Sequence, residues 1–125
     1  MADQEEGVMR KALISACLTT LALSTTAPVF AEPTQADINR GKELAFSRTD
    51  GNCLACHQMD DGKLTGNIGP ELADMKSRFP DRELLFKRVW DETQFNPMTV
   101  MPPFGRHMIL SKQEINRIID YLYTL

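Results

Sequence analysis

This chain is short of the parts that usually staple a small protein. Its 125 residues include three cysteines and two histidines. Cys17 falls in an apolar leader, and once it is set aside no free thiol and no structural disulfide remain outside one motif. There is no second C-x-x-C pair to complete a four-ligand zinc site. No βαβ pattern surrounds the pair that is present, as a thioredoxin-type redox motif would need. Basic residues are not in excess, the net charge being −3, so nothing points to nucleic acid, and there is no long acidic tail. At this length one domain is the ceiling. So small a core often needs a disulfide, metal or cofactor to hold it.

What is present is Cys53-Leu54-Ala55-Cys56-His57. The form C-x-x-C-H is the attachment site of a c-type haem. Two thiols three positions apart can each add to a vinyl group of one porphyrin, and His57 then lies under the iron as proximal ligand. Zinc and thiol redox are the rival readings of the same residues. Zinc wants four ligands, and His107 is the only other histidine. Cys56 and His57 are also sequence neighbours, which suits a tetrahedral site poorly.

The first thirty residues read as a leader. Met9-Arg10-Lys11 is a short positive start, and 12–29 is apolar, with Ser and Thr and no charge. Val29-Phe30-Ala31 supplies small residues for cleavage before Glu32. That is the pattern of a secretory signal peptide over 1–31, leaving a domain over 32–125. Ser, Thr and Pro28 interrupt the run, which disfavours a membrane span. Asp3, Glu5 and Glu6 do not belong in a positive n-region and point to Met9 as the start of translation. Ile14-Ser15-Ala16-Cys17 looks superficially like a lipoprotein box, but cleavage there would leave too short an apolar region. Export to the periplasm fits the chemistry, because bacteria attach c-type haem outside the cytoplasm.

The remaining chain predicts helices and loops. Thr34 with Asp37 forms a box-like start to a helix through about Ser47. Gly41 inside it costs about 1 kcal/mol against alanine, which is reasonable if another helix approaches closely. Asp50-Gly51-Asn52 turns the chain into the motif. Gly66, Gly69 and Pro70 follow in a polar loop that could pass close to a flat ligand. An iron-bound imidazole usually donates its other N–H to an acceptor that orients it, and the Pro70 carbonyl in a rigid Gly-Pro step suits that role for His57. Residues 71–78 predict a short helix with Leu72 and Met75 inward. Residues 80–91 predict another, with Pro80 at its start and Leu84, Leu85, Val89 and Trp90 on its apolar face. Arg82, Lys87 and Arg88 are expected on the wet side. Trp90 reads equally as pocket lining or as core. Ser111 to Glu114 is a capping box. Ile115, Ile118, Ile119 and Leu122 then make one apolar stripe, and Tyr121 would stand over Gly41 where the first and last helices cross.

Between them lies Asn96-Pro97-Met98-Thr99-Val100-Met101-Pro102-Pro103-Phe104-Gly105. A thioether opposite a histidine stabilises ferrous iron and raises the potential. Prolines reduce the freedom such a loop loses on ordering. Met101, followed by Pro102-Pro103, is the leading candidate for the sixth ligand. Met98, Met108 and His107 are rivals, while Met59 lies too near His57 to reach the other face.

Helix, C-x-x-C-H, Gly-Pro loop, helices, Met-Pro loop and amphipathic helix together resemble an all-α class I cytochrome c. More narrowly, 51–57, 66–72, 96–105 and the closing 114–122 resemble the SoxX-type cytochromes, monohaem subunits of the thiosulfate-oxidising SoxAX complex. The N-P-x-T-x-M-P-P-F-G run is the most distinctive part. The resemblance implies one haem c held by Cys53 and Cys56, with His57 and Met101 as axial iron ligands. It implies two partners, a SoxA-like catalytic cytochrome subunit and a downstream cytochrome electron acceptor. That complex oxidatively joins thiosulfate to a cysteine of the carrier SoxYZ. This chain has no spare cysteine and no open iron position, so its implied part is electron acceptance, in a periplasmic heterodimeric L-cysteine S-thiosulfotransferase. The alternatives are a free soluble class I cytochrome c shuttle, and a haem enzyme or gas sensor with an open sixth site.

Overall fold

Two capping boxes set the frame. In the computed structural model, which describes residues 31–125, helix α1 runs Gln35–Phe46 behind Thr34, and helix α4 runs Lys112–Leu122 behind Ser111. Each cap side chain accepts from the N3 backbone, and the N3 carboxylate returns to the cap backbone. Such caps contribute about 1 kcal/mol each. The expected leader, with Met9 and Cys17, lies outside the described residues.

Helices α1 and α4 make the main packing contact of the domain. Leu44 and Ala45 of α1 are buried against Ile115, Ile118, Ile119, Tyr121 and Leu122 of α4. Burying each of those aliphatic side chains stabilises by roughly 1.5–3 kcal/mol. Gly41 sits where the helices come closest: a Cβ there would overlap the Arg117 carbonyl and press on Tyr121 Cβ. The expected crossing, glycine beneath Tyr121, is what the structure has. Arg117 Nε donates to Asp37 Oδ1 at 3.1 Å, so the capping carboxylate of α1 also pins α4. The Phe46 ring meets Tyr121 edge-on at 6.1 Å.

The middle helices differ from expectation. Helix α2 is only Met75–Arg78, not 71–78. Leu72 N is tied to Gln58 O at 2.8 Å, and Asp74 is left-handed with φ 52°, so the backbone before Met75 is committed elsewhere. Helix α3 spans Arg82–Trp90 and excludes Pro80, because the Asp81 side chain caps the Glu83 and Leu84 amides. Leu85 and Val89 are buried, but Leu84 is only half-buried. Arg82 pairs with Asp120 at 2.7 Å, joining α3 to α4. Among the described residues every regular element is helical, in keeping with the expected all-α class.

Candidate haem site

The site begins as soon as α1 ends. Gly51 N donates to Leu44 O at 3.0 Å and Asn52 N to Ser47 O at 2.9 Å, folding the chain back on the helix. Asn52 is left-handed, φ 48°, a conformation that asparagine accepts more readily than most residues. A 3₁₀ turn follows at Cys53–Ala55, and His57 N reaches back to Cys53 O at 2.9 Å. This coil brings Cys53, Cys56 and His57 to the wall of one cavity.

The next loop lies back along the motif. Gly66 N donates to Leu54 O, Gly69 N to Cys56 O and Leu72 N to Gln58 O, at 2.8, 2.9 and 2.8 Å. The His57 ring therefore rests against Gly69, where any Cβ would overlap the imidazole. His57 Nδ1 stands 2.6 Å from the Pro70 carbonyl. A carbonyl oxygen has no proton to give, so Nδ1 carries the hydrogen and donates it. In the neutral ring that leaves the lone pair on Nε2, the nitrogen turned from the carbonyl and available to a metal.

The cavity has a volume of about 710 Å³, well inside the roughly 300–1,000 Å³ typical of ligand sites. Leu85 and Val89 of α3, Ile118 and Leu122 of α4, and Phe104 give it apolar walls. Burial pushes the Cys53 thiol up to about 11, so it is protonated at neutral pH. Redox-active and zinc-binding cysteines are shifted the other way. Among the described residues no three His, Cys, Asp or Glu side chains are grouped to hold a metal ion. An apolar chamber faced by Cys53, Cys56 and an oriented imidazole fits a porphyrin.

The methionine loop borders the same chamber. Met98 and Met101 line it, whereas His107 and Met108 do not. Met98 is 87% exposed, while Met101 is half-buried and packs against the core. Met101 N donates to Thr99 Oγ1 and Met98 N to Asn96 Oδ1, both at 3.1 Å, so side chains as well as prolines shape this stretch. Met59 is core, at 1% exposure.

Arg88 departs from the sequence reading, Trp90 takes one of its two readings, and Asp91 was missed. Arg88 is not on a solvated face: it lines the cavity and pairs with Glu92 at 2.7 Å. Its guanidinium lies over the Phe95 and Phe79 rings, 4.5 and 5.7 Å from their centroids. The i,i+4 spacing was the available signal, but it reads just as well as a surface pair. Trp90 is absent from the cavity wall; it packs on the core and stacks on Phe86 at 5.8 Å. Asp91 is buried at 2% exposure and was not singled out at all.

An all-α chain whose C-x-x-C-H turn opens into an apolar chamber of this size has the fold and the site of a c-type cytochrome. It belongs to the family described as cytochrome c oxidase, cbb3-type, subunit III, whose model matches residues 36–122, α1 through α4. The domain is a monohaem electron-transfer cytochrome carrying covalently bound haem c. The chain is also similar to an uncharacterized lipoprotein of Aquifex aeolicus (strain VF5), 35% identical over 74 residues, 58% of this chain and 36% of that protein. It thus spans only about a third of the length of that curated relative. Neither match is specific to the SoxX type.

Proposed function

We propose that this chain is the electron-accepting subunit of a thiosulfate-oxidising cytochrome pair of the SoxAX type. The observation that carries the reading is the Asn96–Gly105 run, which resembles that group in sequence and sets one half-buried methionine, Met101, at the wall of the chamber that His57 also lines. In this reading the Cys53 and Cys56 thiols hold the porphyrin as thioethers. His57 Nε2 and the Met101 thioether would hold its iron, and the Pro70 carbonyl would fix the imidazole. When bound, the haem supplies one-electron chemistry between ferric and ferrous iron, with the thioether favouring the ferrous state. The apolar walls exclude water and so favour a high potential.

With both axial positions taken by protein, this chain has no place for a sulfur substrate. Bond formation with thiosulfate then belongs to a SoxA-like catalytic partner. This subunit takes the electrons and passes them to a downstream cytochrome. The apolar leader and the place where bacteria attach haem c support a periplasmic domain. The Aquifex aeolicus relative is named a lipoprotein. No helix among the described residues is long and apolar enough to cross a membrane.

The family match is to electron-transfer cytochromes and not to the SoxX type in particular, which leaves a second reading: a free carrier shuttling electrons between membrane complexes. Isolation from the native source separates the two. The first reading expects co-purification with a second cytochrome, and reduction by thiosulfate only in that partner's presence. A monomer reduced and reoxidised at the same rate without any such partner establishes the shuttle.

A further inference from the structure

We propose that Asp91 is a positioning residue for the methionine loop: one buried carboxylate that gathers both feet of residues 92–105 and so holds Met101 at the cavity wall. The inference rests on the reading of Met101 as sixth ligand.

Asp91 is the charged side chain that the described fold buries, at 2% exposure. Its location is unfavourable on local grounds. It closes the C-terminus of α3, where the helix dipole disfavours an anion. What offsets this is a set of donors drawn from both ends of the loop. Oδ1 accepts from Thr93 N at 3.2 Å and Thr93 Oγ1 at 2.5 Å. Oδ2 accepts from Gln94 Nε2 at 3.4 Å and pairs with Arg106 Nε at 3.3 Å. Thr93 and Gln94 begin the loop, and Arg106 follows its last residue. The hydrogen bond from the Thr93 hydroxyl, foremost, holds the Asp91 carboxyl below the usual carboxylate range.

The backbone repeats the closure. Trp90 O accepts from Gly105 N at 3.1 Å and Arg106 N at 3.4 Å. The Trp90 ring lies against Gly105 so closely that a Cβ there would overlap it. Between these feet, the hydrogen bonds of residues 96–103 all stay within 92–107 among the described residues. The segment bearing Met101 is therefore internally folded, and its placement on the rest of the molecule depends on its feet, on buried Phe104 and on the packing of Met101 itself against the core. Capping the Glu92–Gln94 turn would need only the Thr93 contacts. Burial and the Arg106 pair go beyond that need and are explained by closing the loop.

The test uses haem-loaded protein matured in the periplasm and compares the parent with Asp91→Ala, Asp91→Asn and Met101→Ala. Two thermal signals are followed in the oxidised protein: the near-infrared sulfur-to-iron band and the far-ultraviolet helical signal. Carbon monoxide binding is timed in the reduced protein. In Asp91→Ala the band is expected to disappear at a temperature well below helix melting. Carbon monoxide should bind at least about tenfold faster than to the parent, as expected when charge-assisted hydrogen bonds are lost. Asp91→Asn, which keeps an acceptor for Thr93, falls between. Band and helices lost together, or an unchanged carbon monoxide rate, overturns the proposal and leaves Asp91 an ordinary structural residue. Should Asp91→Ala not accumulate, Thr93→Val removes the 2.5 Å partner and is read by the same criteria. Met101→Ala keeps the two ideas apart. If it retains the band, the ligand reading fails and this proposal with it. If it loses the band while Asp91→Ala behaves as the parent, only the positioning role fails.

Discussion

The two flanks of the haem chamber are built by different means. On the histidine side, main chain bonds to main chain: residues 66–72 are tied to 54–58 by three amide–carbonyl bonds, and His57 itself is held by the Pro70 carbonyl. On the methionine side, residues 96–103 bond only within their own neighbourhood, and the loop is strapped to the body at Trp90 and Asp91. The difference suits the two ligand chemistries proposed above. An imidazole binds iron firmly once its tautomer is set, so it can be placed by the fold. A thioether binds weakly, so on the proposed assignment its loop gains from being held ready by the strap.

The largest effect tests the histidine flank at its root. Cys53→Ala with Cys56→Ala is expected to abolish covalent attachment, seen as loss of haem stain after denaturing electrophoresis; full stain in the double variant removes the c-type assignment from this site. Next, on the other flank, Met101→Ala should lose the sulfur-to-iron band and lower the potential. The drop should be on the order of 0.1–0.2 V, a fraction of the roughly 0.8 V that axial ligation commands. A retained band passes the assignment to Met98, the other methionine of this loop at the wall.

A smaller pair of changes sharpens the contrast. Gly69→Ala crowds the His57 ring and Gly41→Ala crowds the α1–α4 crossing. Each should cost about 1–3 kcal/mol by thermal unfolding, as overpacking usually does. Only Gly69→Ala should also move the haem potential. Equal potentials in both variants would mean that the imidazole is not oriented by this loop.

The smallest effect is electrostatic. Hydrogen bonding to Lys42 holds the Asp60 carboxyl below its usual range, and Asp60 with Asp61 holds the Lys42 amine above its own. A depressed carboxylate stabilises above its unfolded value, about 3.9, and that contribution is lost as pH falls through the lower folded value. A raised amine stabilises fully below its unfolded value, about 10.4, and that contribution is lost as pH rises through the higher folded value. The melting temperature should therefore be flat between those limits and fall outside them. Asp60→Asn should flatten the acid limb. Because these side chains are about a third exposed, added salt should shrink the difference.

Much of the frame was legible because it depends on local chemistry. Both capping boxes, the α4 stripe and the Gly41–Tyr121 crossing are written in short spacings, and the cytochrome c fold follows from them with C-x-x-C-H. The Gly-Pro step named an acceptor, and the His57 imidazole lies 2.6 Å from it. What could not be read depends on contacts far along the chain. Residues 71–74 have a helical composition, yet Leu72 N is taken by Gln58. Arg88 looks like any surface cation until Phe79, Phe95 and Glu92 close around it. Asp91 looks like a turn residue, and only the return of Arg106 shows why it is buried.

The meeting of α1 and α4 has a consequence for how the protein is made. Arg117 and Asp37 lie 80 positions apart, so the contact closes a very long loop of chain, the kind of closure that slows folding. The first helix has little to settle on until the last one has been synthesised. The turn bearing Cys53 and Cys56 is folded back on that first helix through Leu44 and Ser47, so its final setting also waits on the far end of the chain.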